Sequence, residues 1–234
     1  MRLLVRLQAP PTFGLMKPMA KDWHEWHRHY DNPNSSIAFR LTVVQRDLRR
    51  ALAEAPCGEE GIVDLISMCA GEGRDVLPVL AEQNRCRRVK AILVEYDPAM
   101  SQRARAGVES LSLSGVEVIT ADAGTTDTYR NLPPAQVLLV CSVFGNIPEA
   151  DMRRTIATLP ALLATDGIVI WTRAGRTGND HSLEVSRCFL DYGFTEMSLT
   201  STIDDMFRVG MHRLVNRPAN LPPPEPGTRM FNFF

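Results

Sequence analysis

The chain has 234 residues, 44% of them hydrophobic, with 26 Lys and Arg against 27 Asp and Glu and a net charge of −1. That is enough chain to bury a real core, and the apolar fraction excludes a disordered or collagen-like polymer. Balanced charge excludes a protein built mainly to neutralise a phosphate backbone, and no apolar run reaches the roughly 18 residues of a membrane span. The five cysteines (57, 69, 86, 141 and 188) are scattered and form no CxxC pair, which suits reduced thiols better than disulfides or a zinc site. The first residues, MRLLVRLQAPPTF, carry an Arg within their short apolar run and make a poor signal peptide, so a cytoplasmic location is expected.

Residues 1–20 contain Pro10, Pro11, Gly14 and Pro18 and read as an irregular arm. A helix is predicted from Asp22, which can cap it, with Trp23, Trp26 and His27 at helical spacing and an end near Asp31–Asn34. Ile37, Leu41, Val44, Leu48 and Leu52 predict a second helix. From there strand and helix alternate. Strands are predicted at 61–68, 89–95, 116–121, 136–142 and 167–173. Helices are predicted at 74–83, 98–111, 149–164 and 181–192, with a short helical patch at 127–131. Two late strands, 195–200 and 207–214, are separated only by a turn and should pair antiparallel. Near-continuous apolar strands alternating with helices mean a mostly parallel sheet covered on both faces. The expected organisation is an N-terminal arm and helical lid over 1–60, an α/β core over 61–217 and a Pro-rich tail over 218–234. The tail ends in the apolar Met230-Phe231-Asn232-Phe233-Phe234, expected to pack back on the body.

The chemistry begins at the turn after the first strand, Cys69-Ala70-Gly71-Glu72-Gly73-Arg74-Asp75. Glycines at a strand-to-helix turn let backbone approach a ligand, and the following helix aims free N–H groups into the same space. The dinucleotide pattern GxGxxG fails, because Val76 stands at its third glycine, and there is no P-loop. Glu95 ends the second strand and can accept from both hydroxyls of a ribose, while Asp97, before Pro98, is better placed to cap a helix. The third strand ends in Thr120-Ala121-Asp122-Ala123, which brings another carboxylate to a strand tip.

From about Gly61 to Leu214 the sequence resembles the class I, Rossmann-like S-adenosylmethionine-dependent methyltransferases. The resemblance implies a seven-stranded sheet, mostly parallel with an antiparallel last strand, and S-adenosyl-L-methionine as cofactor. It implies that Cys69, Ala70, Gly71 and Gly73 form the loop beside the methionine part, and that Glu95 holds the ribose. Tyr96 would stack on adenine, Asp122 and Ala123 would bind its edge, and Ser142 to Asn146 would lie next to the transferring methyl. The family usually has Gly where this chain has Cys69, and an acid where it has Ser67. A non-catalytic, cofactor-binding relative with a regulatory or scaffolding role is therefore the alternative reading.

Methyl transfer from a sulfonium is in-line displacement, for which alignment and exclusion of water matter most. No metal is called for, and none is expected. The run WHEWHRHY, residues 23–30, offers Tyr30 and His27 as catalytic candidates, with Asn146 a third; the opposite reading packs the tryptophans on the body and leaves the histidines in solvent. Arg40 is expected to meet the methionine carboxylate if its helix crosses the cleft. Residues 22–45 are expected to form a two-helix lid. A small-molecule acceptor is favoured over nucleic acid, with no membrane partner, and the sequence leaves the oligomeric state open.

Overall fold

The apolar segments pair into one sheet of order β3-β2-β1-β4-β5-β7-β6. In the computed structural model, which describes residues 22–83, 88–175, 180–217 and 224–234, the strands are β1 (Ile62–Met68), β2 (Arg88–Glu95), β3 (Val116–Thr120), β4 (Ala135–Val140), β5 (Leu163–Ala174), β6 (Phe194–Ser201) and β7 (Phe207–Leu214). The first five run parallel, and β7 lies antiparallel to both β5 and β6. Every expected strand is present. The clearest difference is β5, which starts at Leu163 rather than Gly167. The chain leaves the preceding helix directly into a pairing of Leu163 with Ala135, and the register then shifts to Val137 with Ile168. The irregular arm expected over 1–20 and most of the Pro-rich stretch lie outside the described residues.

Alternate side chains of the central strands leave on opposite faces. Ile66, Met68, Leu138, Val140, Val169 and Trp171 pack with α5 (Glu149–Leu162) and α6 (Ser182–Asp191). Val63, Leu65, Val137, Leu139, Ile168 and Ile170 pack with α2 (Ser36–Glu54) and α3 (Leu77–Gln83). Both faces are dry, which is why these strands lack polar alternation.

The N-terminal helices divide differently from the expected lid. Asp22 caps α1 (Trp23–Arg28) by accepting the Glu25 N–H, and a 3-10 turn, His29–Asp31, follows. The second helix, α2, buries Val44, Leu48 and Leu52 against the sheet, each contributing roughly 1.5–3 kcal/mol. It is a core layer, and only the segment 22–31 is free to act as a roof. Farther along, α3 starts at Leu77 rather than Arg74, since the Gly73 carbonyl takes the N–H of both Val76 and Leu77 in a tight turn. Asp97 caps α4 (Pro98–Ser110), accepting from Ala99 and Met100 as expected.

One buried polar relay organises the β5–β7 side. Trp171 is fully buried opposite Gly210, where a Cβ would fall 2.1 Å from the Trp171 ring. Its indole N–H donates to His212 Nδ1 at 3.1 Å. An indole nitrogen only donates, so the His212 proton sits on Nε2 and donates to Ser186 Oγ at 3.1 Å, while Ser186 donates to Glu196. Burial lowers the His212 pKa from 6.5 to about 4. Its folded state stays neutral where the unfolded state binds a proton, so stability is lost as pH falls from about 6.5 toward 4. At about 1.36 kcal/mol per pH unit this reaches about 3 kcal/mol. His212→Gln, which keeps an acceptor and a donor, is expected to lose that acid-side dependence, as read by urea unfolding at pH 7.5 and 5.

Candidate active site at the strand tips

The loop after β1 is built from left-handed residues: Cys69 at φ 52°, Gly71 at 56° and Gly73 at 76°. Its anchor is Glu95. Glu95 Oε2 accepts the Gly71 N–H at 2.7 Å and Oε1 accepts the Asp97 N–H at 2.9 Å, joining the turns after β1 and β2. A carboxylate has about four acceptor positions, so both oxygens keep capacity for a ligand. The two glycines serve different ends. A Cβ on Gly71 would fall 2.3 Å from His27 Cε1, so this glycine admits the roof; a Cβ on Gly73 would fall 2.9 Å from Leu77 and 3.0 Å from Leu93. Gly73 is therefore a packing glycine under the loop, not the ligand-facing one expected.

At the next tip, Asp122 Oδ1 accepts the Gly124 N–H and Oδ2 pairs with Arg229 at 2.6 Å. After β4, Ser142 adopts φ 61°, its N–H donates to Thr172 Oγ1, and its Oγ accepts from Arg40 at 2.8 Å. Asn146 turns away from the expected position near the methyl: its amide donates to the Ser142 carbonyl at 2.7 Å and it is absent from the cavity wall. Its visible work is to shape that loop.

Arg40 also departs from expectation. It is only 1% exposed, and its guanidinium is absorbed by the protein, donating to Tyr30 Oη, Asp75 Oδ1, Ser142 Oγ and Thr172 Oγ1. Its pKa is raised, because the attraction of Tyr30 and Asp75 outweighs the burial that alone would lower it. Arg40 thus supports the wall and does not line the cavity. Burial pushes the Tyr30 phenol well up, so it remains protonated. His27 is lowered, chiefly by burial, against the pull of Glu72 and Asp75, and its Nδ1 is buried without a hydrogen-bond partner. Burial also raises the thiols of Cys69 and Cys141, which leaves neither as a thiolate nucleophile.

Besides Tyr30 on Arg40, the roof is tied down by His24 to Asp97 at 3.1 Å, Asp31 to Arg74 at 2.7 Å, and Trp23 against Phe233 with ring centroids 5.5 Å apart. Beneath it lies a cavity of about 370 Å³. The expected residues His27, Tyr30, Cys69, Ala70, Gly71, Glu95, Tyr96, Asp122, Ala123 and Ser142 all line it, as does Trp26. Asp75, Met100, Cys141, Arg229 and Phe231–Phe233, which the sequence did not place at the site, line it too, as does Asp97, for which only a capping role is expected. Asp75 stood in the quoted glycine motif, and the apolar tail was flagged as packing back. Those were the signals that could have found them. Among the described residues no group of His, Cys, Asp and Glu is arranged to hold a metal, and no helix is long and apolar enough to cross a membrane.

This sheet order, with a glycine turn and carboxylates at successive strand tips, defines a class I methyltransferase fold. Similar solved structures include an O-methyltransferase family protein from Burkholderia thailandensis (TM-score 0.64, 13% identity, 83% of this chain and 61% of that one). Others are a protein from Listeria monocytogenes described as a "putative class I S-adenosylmethionine-dependent methyltransferase" (0.58, 11%, 78% and 62%) and the magnesium protoporphyrin IX methyltransferase of Synechocystis PCC 6803 with bound SAH (0.58, 15%, 82% and 93%). The chain thus spans about three fifths of the first two. A search of curated proteins finds no match. The profile of a family described as "Putative methyltransferase" matches residues 34–176, and the chain belongs to that family.

The cofactor of this class is S-adenosylmethionine, and the residues present fit it. The cavity volume lies within the roughly 300–1,000 Å³ of small-molecule sites. Glu95 retains acceptors for a ribose diol, Tyr96 offers an aromatic face 74% exposed, and Asp122 offers a carboxylate at the β3 tip. Ser67, where an acid was expected, is buried; Asp75 instead brings a carboxylate to that end of the cavity.

Glu95→Ala removes a charged acceptor, worth roughly 1.5–3 kcal/mol per hydrogen bond. It is expected to weaken S-adenosylhomocysteine binding at least tenfold in a folded protein, as read by calorimetry. Gly73→Val is expected to act on stability instead, costing roughly 1–3 kcal/mol or more by overpacking, with near-normal affinity per folded molecule.

Proposed function

We propose that the protein methylates a small-molecule acceptor that loses a proton from oxygen or nitrogen as it reacts. The observation that carries this reading is the closure of α1 over the strand tips, which sets in the cavity wall an imidazole whose Nδ1 has no hydrogen-bond partner and whose pKa burial lowers. When bound, S-adenosylmethionine supplies a methyl group already activated on a sulfonium. The chain's own task is then to align, to exclude water and to take a proton. His27, with its pKa lowered by burial, is the base. Tyr30, held by Arg40, stays a phenol and positions the reacting end by donating. Trp23, Trp26, Phe231 and Phe233 keep water out. Asn146 acts through the backbone of the loop after β4.

A small acceptor is favoured because the roof narrows the site to a cavity of about 370 Å³, and the balanced charge supports no nucleic-acid track. The test is production of S-adenosylhomocysteine across a panel of small hydroxyl and amine compounds. With an accepted compound, His27→Gln is expected to lower kcat roughly 10²–10⁴-fold while cofactor affinity changes little. Wild-type activity should hold at neutral pH and fall on the acid side, where the imidazole protonates. A His27→Gln enzyme with unchanged kcat and pH profile would remove the base assignment.

A further inference from the structure

We infer that the segment 224–234 is a working part of the cofactor site, and that Arg229 makes Asp122 a reader of the adenine edge. This rests on the methyltransferase reading above. The segment is fixed along the connection after β3. Thr125 and Arg229 form a β-bridge, the Thr126 N–H donates to the Thr228 carbonyl at 3.0 Å, and the Met230 N–H donates to the Gly124 carbonyl at 2.7 Å. A Cβ on Gly124 would fall 2.5 Å from the Phe231 carbonyl oxygen, so the close approach depends on that glycine. Met230 and Phe231 are buried in the core, and the Asn232 N–H donates to Asp151 Oδ2 at 2.9 Å.

This docking sets Arg229 on Asp122. With Gly124 N–H on Oδ1 and the Arg229 guanidinium on Oδ2, the carboxylate plane is held from both sides, and each oxygen still has an acceptor position. So held, it accepts from an exocyclic amine and opposes a carbonyl at the same place. Adenine presents an amine there and hypoxanthine a carbonyl. Phe231 and Phe233 complete the wall, and Phe233 meets Trp23 of the roof, so the same segment that orients Asp122 also holds the roof.

The experiment measures calorimetric affinity for S-adenosylhomocysteine and for its deaminated counterpart, S-inosylhomocysteine. Arg229 is largely solvent-facing, so Arg229→Ala should fold; deletion of the segment would strip Met230 and Phe231 from the core and is not used. Wild-type protein is expected to prefer the adenosine compound at least tenfold. Arg229→Ala is expected to lose most of that preference and about tenfold in affinity, with partial rescue in Arg229→Lys. In Phe233→Ala, S-adenosylhomocysteine should no longer shield α1 from protease. If the wild type binds S-adenosylhomocysteine and Arg229→Ala matches it in affinity and in preference, the inference is overturned alone. If the wild type binds neither compound, the cofactor reading falls and takes the inference with it.

Discussion

A single buried guanidinium sets the constraint around which the site is arranged. Leaving a charge unaccompanied inside a protein costs several kcal/mol, and the two terminal nitrogens of Arg40 are met by protein oxygens, while its buried Nε has no hydrogen-bond partner. Its partners come from four places: Tyr30 in the 3-10 turn after α1, Asp75 in the glycine turn, Ser142 after β4 and Thr172 on β5. Satisfying one side chain therefore fixes roof, loop and wall relative to one another. Because α2, which carries Arg40, is bolted to the sheet by Val44, Leu48 and Leu52, the fixed point itself does not move.

Two carboxylates repeat the same logic at the other end of the cavity. Glu95 ties the turns after β1 and β2, and Asp122 ties the turn after β3 to the distant Arg229. Each lines the cavity and also holds backbone in place. Free acceptor positions and local architecture share the same oxygens, so neither can be altered without touching the other.

The fold was legible because central parallel strands announce themselves as apolar runs and their connecting helices as periodic stripes. The places of Glu95 and Asp122 in the cavity wall were legible because strand tips of a parallel sheet open onto one end whatever their neighbours do. Where Arg40, Asn146 and Gly73 sit differs from the expected arrangement because tertiary packing, which periodicity does not show, decides what a residue meets. Arg40 turns to four protein oxygens, mostly distant in sequence, Asn146 donates to the Ser142 carbonyl of its own loop, and Gly73 leaves room for Leu77 and Leu93. The lid was drawn too large although the stripe of Ile37, Val44, Leu48 and Leu52 already marked α2 as a core helix. Arg229 was missed because nothing local in Pro-Gly-Thr-Arg hints at a partner 107 residues back.

The contact between Trp23 and Phe233 has a consequence for the order in which the molecule comes together. It closes a loop containing all seven strands of the sheet, and the ring–ring contact itself is worth only about 0.5–1.5 kcal/mol. Contacts so distant in sequence form late and open early, whereas the sheet beneath is held by continuous apolar layers. Met230 and Phe231 are buried in the core and hold the final segment to the sheet, so the Trp23–Phe233 edge is where roof and segment can part while the strands stay paired. Exchange of what the cavity holds then needs only that edge to open, and the core never has to breathe.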